Sequence, residues 1–258
     1  MKLALTVDLG NSAAKLVAWS LADRPRLQSA LRIDSGDNAD PKAAQRIAEW
    51  LPEARFEAAW ICSVAEEPKL QRLLAALRAR PSPVEPRQPE HGLSVDLPHP
   101  EKIGRDRLFA ARGALELGGV SALVLDAGTA LTVDALEVRA GRARFLGGAI
   151  APGPRLLSSA LAQGAAALFE VQPRIGAPAL GRDTRSALES GVTHGFRGAA
   201  RELVHRLGAE CGLERAPIWL CGGARALLED PELFPGHKLR VEPDLVHCGL
   251  LAAGACRA

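Results

Sequence analysis

Short apolar runs alternate along this chain with longer amphipathic stretches, and the order in which they come repeats. In the first third, residues 3–7, 16–20 and 26–33 read as three strands, separated by polar turns around Asn11 and at Asp23-Arg24-Pro25. Asp40-Pro41 then opens an amphipathic helix that runs to Trp50, with aspartate suited to the cap and proline to the first helical position. Residues 58–64 read as an internal strand and 66–80 as a second helix. The proline-rich segment 81–100 predicts a loop with at most one edge strand, because proline lacks the N–H that helices and central strands use. A helix over 105–117 follows, stopped by Gly118-Gly119.

The pattern then restarts. Strands are predicted at 122–125, 131–138 and 143–147, with a helix after Pro152-Gly153 and a long helical region over 183–211. A strand at 217–221 leads through Gly222-Gly223 into a further helix, and a last helix covers 245–256. The order β-β-β-α-β-α thus occurs twice, which favours two domains, divided here as 1–117 and 118–258.

Each copy opens on the same kind of turn. The first strand ends in Asp8-Leu9-Gly10-Asn11-Ser12, followed by Ala13, Ala14 and Lys15; 118 positions further on stands Asp126-Ala127-Gly128-Thr129-Ala130. Both combine a carboxylate at a strand end, a glycine in the turn and a small polar side chain just beyond. That set suits a polyphosphate held with a cation: carboxylates serve the metal, glycine lets the backbone approach the anion, and amides and hydroxyls donate to phosphate oxygens. Two such turns facing each other would clamp a nucleotide phosphate tail. The plain alternative is a pair of ordinary hairpin turns, where Asp, Asn and Ser are common.

Composition adds exclusions. Apolar residues make up 47% and charged residues 24%, an ordinary globular balance. With 32 basic against 30 acidic residues there is no strong phosphate-neutralising field, so no nucleic-acid partner is expected. The five cysteines show no metal or disulfide spacing, and the six histidines read as surface or packing residues. The first apolar run is too short for a signal peptide and none approaches a membrane span, so a cytoplasmic protein without membrane contact is expected. The chain contains neither GxxxxGK[ST] nor a GxGxxG after a strand, which argues against a P-loop kinase and a dinucleotide-binding domain.

Six blocks, taken in order, resemble the signature of type III pantothenate kinases. They are Asp8-Leu-Gly-Asn-Ser12, Gly104-Arg105-Asp106-Arg107, Asp126-Ala-Gly-Thr-Ala-Leu-Thr132, Gly147-Gly-Ala-Ile-Ala-Pro-Gly153, Gly181-Arg-Asp-Thr184 with Gly191 and Gly195, and Cys221-Gly222-Gly223. The resemblance implies an α/β fold of two ribonuclease H-like domains, of the actin, Hsp70 and sugar-kinase type, with duplicated βββαβα cores and an interdomain cleft. It implies ATP-dependent phosphorylation of pantothenate to 4'-phosphopantothenate, the first step toward coenzyme A. It further implies Mg²⁺, a monovalent cation (K⁺ or NH₄⁺) and a homodimer.

Carried over by position, the resemblance places Asp8 near Mg²⁺ through water, and Leu9, Gly10, Asn11, Ser12, Ala13, Ala14 and Lys15 around the ATP phosphates. Asp106 would accept the proton of the substrate hydroxyl, acting late because an alcohol is far less acidic than a carboxylic acid. Gly104, Arg105 and Arg107 would complete the pantothenate site, with Arg107 as a two-pronged donor to its carboxylate. Asp126 would ligate the monovalent cation, Thr129 would donate to an ATP phosphate, Thr184 would contact pantothenate, and Gly222 and Gly223 would let the adenosine lie against the backbone. Each residue also has a plainer reading: Asp106 as a helix cap, Arg107 as an exposed helical residue, Thr184 as a first-turn threonine, Gly222-Gly223 as a generic turn. Thr132 and Asp134 alternate with apolar neighbours and are expected to face solvent.

The chain departs from the family at two places: Arg105 is bulkier and more charged than the small or apolar residue usual there, and the segment before the block differs. Members carry a tyrosine and an asparagine shortly before the Gly-x-Asp-Arg block; here no tyrosine exists, and Leu97 and His99 stand near those positions. Two rival readings follow: a kinase for another small molecule on the same fold, or a non-catalytic nucleotide-binding regulatory factor.

Overall fold

The computed structural model describes residues 2–21, 25–34, 41–50 and 55–255, with the backbone alone for 41–44. It divides into two compact units, one of residues 1–92, 101–116 and 246–258, the other of 93–100 and 117–245.

The first unit is built on a four-stranded sheet in the order β3-β2-β1-β4, from β1 (Leu3–Leu9), β2 (Ala13–Ser20), β3 (Arg26–Asp34) and β4 (Phe56–Ser63). β1 pairs antiparallel with β2 and parallel with β4. Alternation along β1 sets its two faces. Leu5, Val7 and Leu9 join Leu16, Ile33 and Ile61 in one core, together with Ile47 of α1 (Pro41–Trp50) and Leu73 and Leu77 of α2 (Glu67–Arg78). Each such aliphatic chain, fully buried, contributes about 1.5–3 kcal/mol. The opposite face carries Ala4 of β1 with Val17, Trp19 and, from the C-terminal helix α6 (Leu245–Ala255), Leu251. α3 (Arg105–Gly118) packs its Phe109 and Gly113 backbone directly on Gly249 of α6.

The second unit repeats the arrangement. β6 (Ala122–Ala127), β7 (Ala130–Arg139), β8 (Arg142–Pro152) and β9 (Ile218–Cys221) occur in the order β9-β6-β7-β8, with β5 (Ser94–Val95) at one edge and β10 (Leu239–Val241) at the other. Again the first strand pairs antiparallel with the second and parallel with the fourth. Leu123, Leu125, Leu131, Val133 and Ala135 pack against Phe196, Ala200 and Val204 of α5 (Thr184–Cys211). α5 begins in a capping box between Asp183 and Ser186 and ends at Gly212, whose φ of 68° is the left-handed conformation glycine adopts without strain. α4 (Pro154–Gly164) starts at Gly153 with proline in its first turn.

Most predicted elements are present, and β5 is the edge strand expected in the proline-rich segment. Asp23 and Arg24, in the turn before the third strand, and Asp40, assigned to the first helix cap, lie outside the described residues. Three expectations need correction. No helix follows Gly222-Gly223: the chain makes short 3-10 turns at Arg225–Leu227 and Pro231–Leu233, the second opening at Pro231. β10 was not foreseen, since three residues give too little periodicity to detect. Asp134 does not face solvent but is 1% exposed, and the Thr132 hydroxyl is buried as well, because β7 is an inner strand with both faces covered. Among the described residues no helix is long and apolar enough to cross a membrane.

Candidate active site

In the first unit, β1 delivers Asp8 half-buried to its C-terminal end, where Asp8 pairs with Lys15 on β2 and Cys62 on β4. The Gly10 N–H donates to the Ala13 carbonyl at 2.9 Å and closes the turn, leaving Asn11 and Ser12 exposed at its tip. Lys69 of α2 braces that turn from below: its ammonium donates to the carbonyls of Gly10, at 3.3 Å, and Asn11. Burial, helped by Arg72, holds the Lys69 pKa below its ordinary value. Lys69 was not singled out in the sequence, since nothing marks one helical lysine until its helix is docked.

Asp106 stands in the first turn of α3. Its carboxylate accepts the Arg107 amide hydrogen at 2.9 Å and folds back over Gly104, where a Cβ would come within 2.5 Å of Oδ1. Glycine at 104 is therefore a steric requirement of this carboxylate's position. Burial raises the Asp106 pKa, against the opposing pull of the Arg107 amide and charge. The buried Cys62 thiol reports on the neighbourhood: its pKa is pushed well up, first by burial and then by the carboxylates of Asp8 and Asp106, with Arg105 acting the other way. Both acidic motifs, nearly a hundred positions apart in sequence, thus act on the same buried thiol. Arg105 itself is half-buried. Its guanidinium donates to the Pro89 carbonyl at 2.6 Å and lies 5.4 Å from the Phe109 ring centroid, so part of its role is to hold the proline-rich loop on α3. Arg107 is half-buried beside it.

In the second unit, β6 delivers Asp126, half-buried, to the equivalent strand end. Three glycines crowd its turn. A Cβ on Gly222 would reach 2.3 Å from Asp126 Oδ1, one on Gly153 would come within 2.4 Å of the Gly128 and Thr129 carbonyls, and one on Gly128 would lie 3.4 Å from Asp126 Oδ1. Gly222 has φ 90°, which adds a conformational reason for glycine there. The Ala224 N–H donates to the Ala127 carbonyl at 2.7 Å and fixes the Gly222-Gly223 loop on the β6–β7 turn. The Ala127 backbone and the glycines lie close to this carboxylate, and Thr129 stands exposed beside it. A carboxylate amid closely packed main chain suits a cation and an anion approaching main-chain amides. Thr184 is exposed at the first position of α5, next to the Asp183 cap, whose pKa the Ser186 amide lowers. A surface cavity of about 790 Å³ lies at the opposite end of β6, between Gly119 and Pro217, away from every predicted site residue.

The order of strands, the repeated Asp-x-Gly turns and the Gly104–Arg107 block now stand together with a family match. Residues 4–206 match the type III pantothenate kinase family. The chain belongs to that family. Relatives carrying the name type III pantothenate kinase include one from Akkermansia muciniphila, 32% identical over 82% of this chain and 84% of its own, and one from Verminephrobacter eiseniae, 33% identical over 96% and 95%. The fold is similar to that of a putative Baf family transcriptional activator from Campylobacter jejuni, with a TM-score of 0.57, 18% identity and 96% of both chains covered. It is also similar to a putative 2-dehydro-3-deoxygalactonokinase from Sinorhizobium meliloti, with a TM-score of 0.54, 17% identity and 98% of both chains covered. At such identities the structural likeness speaks for the fold alone: the sugar-kinase and actin-like type, an α/β architecture with one core used twice. As a member of the type III pantothenate kinase family, this protein is a kinase.

Proposed function

We propose that this protein phosphorylates pantothenate at its primary hydroxyl with ATP, giving 4'-phosphopantothenate for coenzyme A synthesis, through the residues assembled above. Family membership carries the reaction. The single structural observation that supports the residue assignment is the half-buried Asp106 carboxylate, raised in pKa by burial and folded back over Gly104.

Asp106 takes up the proton of the substrate hydroxyl as the new oxygen–phosphorus bond forms. A carboxylate with a raised pKa is a better proton acceptor than an exposed one, and its hydrogen bond from the Arg107 amide holds it in place. Arg107 offers a planar pair of donors to the pantothenate carboxylate. Asn11 and Ser12, exposed at the tip of the turn, offer donors to phosphate oxygens, Lys15 offers a charge, and Lys69 keeps the turn in shape. Asp8 fits a hydrated Mg²⁺: it is a half-buried anionic oxygen donor at a strand end beside that turn. Asp126 fits K⁺ or NH₄⁺ for the reason given by its glycine surroundings. Bound cations supply charge neutralisation for the transferring phosphoryl group. Thr129, Gly222 and Gly223 serve the nucleotide, and Thr184 the pantothenate.

A homodimer is part of this reading. Ile150, Leu156, Leu161, Phe169, Ile175 and Leu180 are all exposed in the second unit, between 38% and 70%, on β8, α4 and the segment leading to α5. Contiguous apolar surface marks interaction sites; these residues are the candidates for a subunit contact, and Thr184 follows them in the chain.

The deciding experiment is ATP-dependent phosphorylation of pantothenate by the purified protein with Mg²⁺, in potassium against sodium. Turnover that depends on potassium is expected. A folded protein that binds ATP yet leaves pantothenate unchanged in both salts overturns the substrate assignment. The Leu97 and His99 departures would then point to another alcohol.

A further inference from the structure

Along the β1 face turned away from α1 and α2 stand Ala4, Thr6 and Asp8, two positions apart as strand geometry requires. Asp8 ends the row at the phosphate turn. Thr6, next to it on that face, is fully buried, and its hydroxyl is a junction of three elements. Trp19 Nε1 of β2 donates to Thr6 Oγ1 at 2.7 Å, and His247 Nδ1 of α6 lies 2.9 Å from the same oxygen. The Val17 carbonyl is 3.5 Å away as a second acceptor for the hydroxyl proton.

His247 is 1% exposed, and burial, with a smaller contribution from the Lys15 charge, lowers its pKa to about 3, so its ring is neutral. A neutral imidazole has one donor and one acceptor nitrogen. If Thr6 gives its proton to Nδ1, Nε2 carries the hydrogen; if Thr6 gives it to Val17, Nδ1 carries it. In either tautomer Nε2 is buried without a hydrogen-bond partner among the described residues. A leucine at 247 would avoid that cost but would also remove the Nδ1–Thr6 hydrogen bond, so the histidine keeps one buried bond at the expense of one unpaired nitrogen. What the arrangement does achieve is geometric. Thr6 pairs with Val17 and Asp8 with Lys15 in the same register, so the junction clamps β1 to β2 one step before the Asp8–Lys15 pair and ties both to α6.

We infer that the Trp19–Thr6–His247 chain positions the phosphate turn, with His247 acting through Thr6 to hold Asp8 and Lys15 in the geometry that Mg²⁺–ATP binding uses. His247 is a positioning residue here, not one that touches the reacting atoms. The inference rests on the assignment of Asp8 to Mg²⁺–ATP.

The test compares full-length wild type with Thr6→Val, Thr6→Ser, His247→Leu, His247→Asn and Asp8→Asn. Calorimetric Kd for Mg²⁺–ATP, KM for each substrate and Tm are read for every variant. Valine at 6 keeps the shape and loses the hydroxyl; asparagine at 247 keeps a polar group near Nδ1, and serine at 6 keeps the hydroxyl. Thr6→Val and His247→Leu are expected to weaken Mg²⁺–ATP binding about tenfold, the low end of what loss of a partner behind an ion-binding residue costs. The KM for pantothenate stays unchanged, and Thr6→Ser and His247→Asn recover most of the affinity. If Thr6→Val does not fold, the His247→Leu against His247→Asn comparison decides on the same readouts. Wild-type nucleotide affinity in the apolar variants, with or without a lower Tm, overturns the inference when Asp8→Asn has lost that affinity. An Asp8→Asn protein that binds Mg²⁺–ATP like wild type instead removes the assignment of Asp8, and the inference with it.

Discussion

Asp106 shows how much one residue's setting adds to its identity. Its type and the Gly-x-Asp-Arg spacing were legible in the sequence, but so was the competing reading as a helix cap. The fold adds position: α3 begins at Arg105, so Asp106 stands inside the first turn, where its carboxylate accepts the Arg107 amide hydrogen and lies over Gly104. Burial raises its pKa, which fixes the sign of a linkage. A carboxyl group whose folded pKa lies above its unfolded value favours the folded state at low pH, and that contribution is lost as pH rises through the folded pKa. At neutral pH the buried charge therefore works against stability. Asp106→Asn is expected to lower turnover by a factor on the order of 10² to 10⁴ while ATP binding persists. Its Tm at neutral pH should equal or exceed that of wild type, the gain shrinking as pH falls into the carboxylate range. Differential scanning calorimetry beside steady-state kinetics checks both; unchanged turnover would return Asp106 to a structural role. In the same way the acid limb of the wild-type kcat profile should lie above the ordinary aspartate range.

At the scale of elements, the C-terminal helix carries the clearest consequence. Its sequence is apolar nearly all round, and periodicity predicts a helix over 245–256 without saying what it covers. In the fold α6 packs with α3 and the β1–β2–β4 sheet. A Cβ on Gly249 would meet the Phe109 carbonyl at 1.9 Å, and one on Gly254 would strike the Trp60 indole at 2.0 Å. These contacts join backbone to backbone and backbone to ring, so the neighbours cannot move aside cheaply. Gly249→Ala is expected to destabilise the protein by about 1–3 kcal/mol, the usual cost of overpacking, and to weaken nucleotide binding with it through the His247 junction. Urea unfolding followed by tryptophan fluorescence would measure it, with Trp19 and Trp60 beside the helix as reporters; an unaltered midpoint would mean that α6 is loosely docked. The loop after Gly222-Gly223 teaches the reverse lesson. Its residues have fair helix propensity, but the tight contact of Gly222 with Asp126 and the proline at 231 leave room only for 3-10 turns.

For the molecule as a whole, the proposed dimer is tested at the exposed apolar residues of the second unit. Ile175→Glu with Leu180→Glu places two charges on residues 69% and 70% exposed, where a monomer would tolerate them. The double variant is expected to shift sedimentation from dimer to monomer with little change in Tm, and to raise the pantothenate KM if Thr184 works beside that face. A wild-type monomer in sedimentation would remove the dimer from the proposed function.

The duplicated strand order, the two Asp-x-Gly turns, the Gly104–Arg107 block and the family were legible in the residues alone, because each is written in local spacing: a strand, its turn and the next strand are neighbours in the chain. Tertiary structure decided what depends on residues far apart. It put Asp8 and Asp106 around one thiol, crowded Gly153 and Gly222 on the Asp126 turn, braced that of Asp8 with Lys69, buried Asp134 on an inner strand, and joined Thr6 to His247 across 241 positions. Periodicity reports which face of an element is apolar; it carries no term for which distant element will cover that face, and burial, pKa and close backbone approach all follow from the covering.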